Sequence, residues 1–277
     1  MEALRRRAHE VLDTAHDGGI RYFDAARSYG LAEQFLASWL SARGVPSHDV
    51  TVGSKWGYEY TGGWRVDADR HEVKDLSAET FRRQLAETLE LLGPHLDLYQ
   101  IHSATIESGV LEDHELRGEL DALRSSGVAV GMSVTGPRQR ETIERALEVG
   151  GFDAVQATWN LHERSTEPAL AAAHEAGLGV IVKEALANGR LTARGENRLL
   201  IETAVKRGVT PDALALAAAL SRPWADVVLS GAATVEQLRS NVAALELGHD
   251  DAFEARLAPL TEDPETYWEE RAELPWN

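Results

Sequence analysis

Short runs of β-branched and aromatic residues alternate along the whole chain with longer amphipathic segments. The strand-like runs are Ile20–Ala25, Val50–Lys55, Leu96–His102, Ala129–Ser133, Ala154–Ala157, Gly179–Lys183 and Asp226–Ser230. Between them, apolar residues recur at helical spacing. Leu31–Leu40 places Leu31, Phe35, Leu36, Trp39 and Leu40 on one side, and Glu79–Leu92 does the same with Phe81, Leu85, Leu89 and Leu92. Gly44, Gly93, Gly127 and Gly177 follow helical stretches, where a C-terminal cap takes positive φ. Strands alternating with helices predict parallel pairing through right-handed crossovers. Seven such units without a break predict a closed (β/α) barrel of the TIM type, with residues 1–277 as one domain. Two connections, Trp56–Ser77 and Glu184–Thr210, exceed the usual loop length. Both follow the C-terminal end of a strand, the face on which barrels carry chemistry.

Composition narrows the picture. A chain of 277 residues buries a large core without help from disulfides or metal. The absence of cysteine excludes a disulfide framework, a zinc–thiolate centre and a cysteine nucleophile. The net charge of −17 repels phosphate backbones and anionic lipid, so neither nucleic acid nor a membrane is expected as a partner. No run approaches the roughly 18 apolar residues of a membrane span, and the opening Met1–Arg7 has no apolar signal stretch. A cytoplasmic protein is expected, and the pattern carries no signal for an oligomeric state. His71, His114, His162 and His174 lack metal-ligand spacing and are expected on the surface or in loops, with no metal site.

The candidate chemistry lies at the strand ends, which carry Asp24, Lys55, His102, Ser133, Gln156 and Lys183. Side chains alternate along a strand, so Leu98, Gln100 and His102 share one face and Tyr99 and Ile101 the other. Neighbouring strands lie about 4.8 Å apart, which puts Asp24 and Lys55 within ion-pair reach. Tyr29 follows in the loop after Asp24. A free phenol, with a pKa of about 10, holds its proton too tightly to be a good acid near neutrality. A lysine cation beside it favours the phenolate, and a carboxylate keeps that lysine in place and charged. A neutral histidine can donate to a carbonyl oxygen and fix its approach. These four residue types suit carbonyl reduction, in which a proton reaches oxygen as hydride reaches carbon.

At these residues the chain resembles the aldo-keto reductase superfamily. GGIRYFDAARSYGLAE is similar to its Asp-Thr-Ala…Tyr-Gly signature, and SKWG and LYQIHSA to its lysine and histidine strands. VQATWN, ALANGRLT and SGAATVEQLRSNVAAL extend the likeness from about residue 8 to residue 247. The resemblance implies a catalytic tetrad of Asp24, Tyr29, Lys55 and His102. It implies that Ser133 and Gln156 hold the nicotinamide carboxamide, and that Gly231, Ala232, Thr234, Gln237 and Asn241 bind the adenine end. The implied cofactor is NADP(H), with NAD(H) as the alternative, bound without a GxGxxG fingerprint. The implied substrate is a small aldehyde, ketone or sugar-like molecule.

Several positions depart from the family pattern. Members usually open with a hairpin and a Gly-rich first strand; this chain opens in a helix, leaving seven strands for eight, and the expectation is that the true start lies upstream. Val134 replaces a common asparagine, and Ala25 a threonine. Lys183 stands where many members stack an aromatic ring on the nicotinamide, and is expected on a phosphate or paired with Glu184. Gln237 occupies a place where some members hold the 2′-phosphate with arginine. Thr234 and Gln237 also read as a capping box at a helix start. Trp56, Tyr58, Tyr60 and Trp64 are expected to line a substrate pocket, and Trp159 is counted with the substrate-binding residues, beneath the nicotinamide or filling the barrel top. Tyr267, Trp268 and Trp276 are candidates to fold over the barrel mouth. Two other readings accompany this one. The first is a catalytically impaired, cofactor-binding barrel acting as a sensor or partner subunit. The second is a Schiff-base lyase using Lys55 or Lys183.

Overall fold

The computed structural model describes residues 1–63, 71–248 and 251–274. The chain falls into two compact units, Met1–Val155 and Gln156–Leu274. The first unit runs α1 (Glu2–Asp17), β1 (Tyr22–Asp24), α2 (Ala32–Arg43), β2 (Thr51–Trp56), β3 (Tyr58–Tyr60), β4 (Glu72–Lys74), α3 (Ala78–Leu92), β5 (Leu96–Ala104), α4 (His114–Ser125), β6 (Ala129–Val134) and α5 (Gln139–Val149). Strand β7 (Ala154–Thr158) follows. The second unit carries α6 (Glu167–Glu175), β8 (Gly179–Lys183), α7 (Arg198–Arg207), α8 (Pro211–Leu220), β9 (Val227–Val228), α9 (Val235–Val242), α10 (Asp251–Leu257) and α11 (Pro264–Ala272). Each of the seven runs expected as a strand is one, and each forecast glycine cap has positive φ.

Pairing in the first unit is parallel in the order β1-β2-β5-β6. In the second, β9 pairs parallel with β8. A repeated device sets the register. An aspartate just before or at the start of one strand accepts the backbone N–H of the preceding strand: Asp97 from Val52 at 2.8 Å, Asp153 from Val130 at 2.9 Å, and Asp226 from Val180 at 2.7 Å. A charged acceptor makes such a bond stronger than a neutral one. A slip of one residue would turn every tip side chain to the other face. Among the described residues, no helix is long and apolar enough to cross a membrane.

Three expectations change. The connection after Trp56 is not an open loop: Tyr58–Tyr60 and Glu72–Lys74 pair antiparallel as a ribbon, with Tyr58 opposite Lys74. The stretch after Glu184 contains helix α7. The inner face of α3 is also more polar than its leucines suggest. Phe81, Gln84, Thr88 and Leu92 are buried, whereas Leu89 is 40% exposed. Gln84 is drawn in because its oxygen accepts from Gly57 N at 2.9 Å and its amide donates to Tyr58 O at 3.0 Å. Those bonds satisfy backbone groups that burial would otherwise leave unpaired.

Phe81 anchors that face, its ring 5.1 Å from Trp56 and 6.1 Å from Tyr99. Phe81→Ala is expected to destabilise the fold by about 3–5 kcal/mol. Leu89→Ala should stay within about 0.5 kcal/mol. Urea titration of the two variants checks the contrast, and equal losses would contradict this assignment of the buried face.

Candidate active site

Strand alternation turns Asp24 and Lys55 to the same side of β1 and β2, and the parallel register sets Lys55 opposite Gln100 of β5. Lys55 is 1% exposed. Its ammonium is ion-paired with Asp24 Oδ2 and donates to Ala25 O at 2.8 Å. Burial alone would lower the pKa of this ammonium. The Asp24 charge, followed by interaction with the Tyr29 phenol, outweighs burial and holds it above its ordinary value. Lys55 is therefore a fixed cation.

Asp24 is held from its other oxygen as well. Tyr22 donates its hydroxyl to Asp24 Oδ1 at 3.1 Å, and Gln100 Nε2 reaches the same atom at 3.4 Å. Burial, followed by the Asp24 charge, pushes the Tyr22 phenol far above its usual value, so it remains a donor. Gly53 makes this possible, because a Cβ there would collide with the Tyr22 hydroxyl. Tyr22 and Gln100 were absent from the sequence-based set. Alternation was the available signal, since Tyr22 shares a face with Asp24 and Gln100 shares one with His102.

Tyr29 lies on the loop after β1 and is 50% exposed. The Lys55 ammonium sits 5.1 Å from its ring centroid. The imidazole of His102, 8% exposed, meets the Tyr29 ring edge-on at 5.5 Å and the Tyr58 ring at 4.9 Å. Ser28 Oγ lies 3.4 Å from His102 Nδ1. Asp24, Lys55, Tyr29, His102 and Tyr58 thus form one cluster within the first unit. Lys74, which had no predicted role, adds a cation on the β3–β4 ribbon. It donates to Ser103 O at 2.6 Å and lies 5.7 Å over the Tyr58 ring.

Trp56 is not in this cluster. It points away from Lys55, fully buried against Phe81 on the α3 side, as the two-residue period of a strand requires. Trp159 in the second unit is also fully buried. Its indole donates to Glu167 Oε2 at 3.2 Å, and the Arg222 guanidinium lies 4.9 Å over its ring. Both tryptophans are core, which removes them from the expected substrate lining. Tyr60 lies half-buried on the ribbon; Trp64 and Trp276 fall outside the described residues. Tyr267 and Trp268 are buried on α11. His162, expected near the surface, is buried with Nδ1 2.9 Å from Leu260 O.

The residues implied for a cofactor divide between the units. In the first, the buried Ser133 hydroxyl accepts from Ser103 N at 2.9 Å and keeps its own proton to donate. In the second, Gln156 is buried at the middle of β7 and Lys183 ends β8. Glu184 follows with φ at 54°, and Arg271 donates to it at 2.7 and 3.1 Å. Burial pushes the Glu184 carboxyl up, but Lys183 and Arg271 more than offset this and leave it below the ordinary range. Gly231 has φ at 62° and is followed by the half-exposed Ala232. Thr234 Oγ1 accepts from Gln237 N at 3.2 Å, while Gln237 Oε1 accepts from Ala233 N at 2.8 Å, one residue earlier than a standard capping box. Asn241 donates to Ser230 O at 3.0 Å and to its hydroxyl at 2.8 Å.

The chain is similar to several known proteins. The "NADH-specific methylglyoxal reductase" of Escherichia coli (strain K12) is 27% identical over 281 residues, covering 90% of this chain and 85% of that protein. The "L-galactose dehydrogenase" of Arabidopsis thaliana is 28% identical over 249 residues, 82% of this chain and 74% of that one. In fold, the chain resembles an aldo-keto reductase of Bacillus halodurans solved in its holo form. That likeness has a TM-score of 0.77 at 23% identity, covering 94% of this chain and 88% of that one. The fold class is accordingly the parallel (β/α) barrel anticipated from the strand–helix alternation. The family profile described as "Aldo/keto reductase family" matches residues 3–260. The chain belongs to the aldo/keto reductase family, and its chemistry is nicotinamide-dependent carbonyl reduction or the reverse oxidation.

Proposed function

We propose that this chain reduces a small aldehyde or ketone at the Asp24–Lys55–Tyr29–His102 cluster, with Tyr29 delivering the proton to the carbonyl oxygen. One observation carries this reading: a buried ammonium held by a carboxylate lies beneath a phenol that reaches solvent. The ammonium favours the phenolate and so makes Tyr29 a stronger acid. Asp24, with both oxygens occupied, keeps Lys55 charged and stationary. The Ser28 hydroxyl lies 3.4 Å from His102 Nδ1; in the tautomer with the proton on Nε2, Ser28 is the donor and Nε2 can orient the carbonyl. Tyr58 forms one wall of the substrate site through its contact with His102.

Each unit, taken by itself, carries donors of the kind a nicotinamide cofactor takes. Ser133 has a hydroxyl proton to give, Gln156 is a buried amide, and the N-terminus of α9 offers backbone donors suited to phosphate. When bound, the reduced cofactor supplies the hydride. We assign Gly231, Ala232, Thr234, Gln237 and Asn241 to its adenine end and Lys183 to a phosphate. None of the five adenine-end residues is cationic, and the side-chain oxygen of Gln237 already binds Ala233 N. Only a weak preference for NADPH follows, and the name of a relative that is NADH-specific supports NADH as a cofactor this chain also uses. The names of two relatives, a methylglyoxal reductase and an L-galactose dehydrogenase, support a small carbonyl or sugar substrate. We take both units as parts of one catalytic domain, since the family match runs through both. The lack of cysteine and the acidic composition support a cytoplasmic setting.

Tyr29→Phe is expected to keep cofactor affinity, read by quenching of tryptophan fluorescence, while kcat for methylglyoxal or another small aldehyde falls about 10²- to 10⁴-fold. Turnover equal to wild type would end the acid assignment. Lys55→Met removes the cation that stabilises the phenolate, so Tyr29 becomes a weaker acid. The alkaline limb of kcat/KM for reduction should move to higher pH while the rate at neutrality drops. An unmoved limb would separate Lys55 from proton delivery.

A further inference from the structure

Tyr29 sits on a loop, yet an acid must meet its substrate to within a fraction of an ångström, and a displacement of about 1 Å can cost a hundredfold in rate. The start of this loop is fastened to β2 by backbone bonds: Ala25 N donates to Gly53 O at 2.8 Å, and Arg27 N to Lys55 O at 2.9 Å. Tyr29 lies beyond these bonds, in a turn closed by Tyr29 N on Ala26 O and Ala32 N on Tyr29 O. Side chains that flank that turn connect it to the strand and helix behind it.

We propose that Arg27 and Glu33 form a charged staple across the base of the Tyr29 loop and are positioning residues for the acid. The inference rests on Tyr29 being that acid. Arg27 lies two residues before Tyr29 and Glu33 four after it, in the first turn of α2. The Arg27 guanidinium grips Glu33 Oε2 with one nitrogen and Glu87 Oε2 of α3, at 2.5 Å, with another. Glu33 is 3% exposed. Its second oxygen accepts from the Ser54 hydroxyl at 2.6 Å and the Thr88 hydroxyl at 2.9 Å. Ser54 adjoins Lys55 on β2, and Thr88 lies on the inner face of α3. One carboxylate therefore joins both flanks of Tyr29 to the strand of its lysine partner and to the helix packed behind it.

The chemistry of the staple favours geometry over stability. Burying an ion pair gives little net stabilisation, and apolar side chains of similar size often hold helices together as well or better. A two-armed guanidinium between carboxylates, by contrast, fixes direction as well as distance. Burial works against the charge on Arg27, but Glu33 and Glu87 overcome it and keep the guanidinium firmly charged.

Arg27→Met and Glu33→Gln test this in the full-length chain, with methylglyoxal as substrate and NADPH and NADH as cofactors. Both variants should keep cofactor affinity within about twofold and substrate KM nearly unchanged, while kcat drops about ten- to a hundredfold. The double variant should lose no more than the worse single one, because the two residues act as a unit. Arg27→Lys, which keeps the charge but not the two-armed grip, should recover only part of the loss. On a Tyr29→Phe background, Arg27→Met should cause no further loss. Wild-type kcat in a folded Arg27→Met or Arg27→Lys variant would overturn the proposal, as would a further drop on the Tyr29→Phe background. Should Arg27→Met fail to fold, Arg27→Lys decides alone. Full turnover by Tyr29→Phe itself would instead sink the acid assignment, a separate failure.

Discussion

The first unit is organised around one constraint: the Lys55 ammonium is buried, and a buried cation must be both neutralised and hydrogen-bonded. Asp24 and Ala25 O meet that demand from the neighbouring strand. Asp24, now buried in turn, is satisfied by Tyr22 and Gln100. Each of these residues sits where strand alternation and register put it, so the ion pair and the register depend on one another. The aspartates that clasp the strand amides protect the same alignment.

Strand β2 carries this order to both of its faces. Lys55 points to the side of the proposed active site. Ser54 and Trp56 point to the helices, where Ser54 meets the Glu33 carboxylate and Trp56 the Phe81 ring. Behind the strand, burial selects for hydrogen-bonding capacity as well as apolar area. Gln84 and Thr88 are taken inside on α3 because Gly57, Tyr58 and Glu33 need partners, while Leu89 is left in solvent.

The second unit shows residues with structural work of their own at the positions assigned to cofactor. Asn241 ties helix α9 back to Ser230, and Gln237 caps the start of that helix. These bonds preset the backbone around Gly231, which suits phosphate recognition by main-chain donors. At the tip of β8, Glu184 adopts a left-handed backbone conformation that L side chains rarely take, and Arg271 of α11 secures it. The C-terminal helix thus bonds directly to the residue that follows Lys183.

The alternation of strand and helix, the parallel architecture and the four side chains proposed to react were legible in the residues themselves. They depend on local periodicity, on the two-residue period of strands and on short motifs, of which Asp24 and Tyr29 share one strand and its loop while Lys55 and His102 lie on two further strands. Tertiary structure decided what periodicity cannot encode. It sent Trp56 and Trp159 into the core, since an aromatic one residue beyond a tip faces the opposite side from that tip. It turned the connection after Trp56 into a ribbon that brings Tyr58 and Lys74 beside His102. It also assembled Arg27, Glu33, Ser54, Thr88 and Glu87 from four elements into one charged cluster. In the sequence these are unremarkable polar residues on exposed-looking positions, and only folding shows that the buried carboxylate among them must be satisfied.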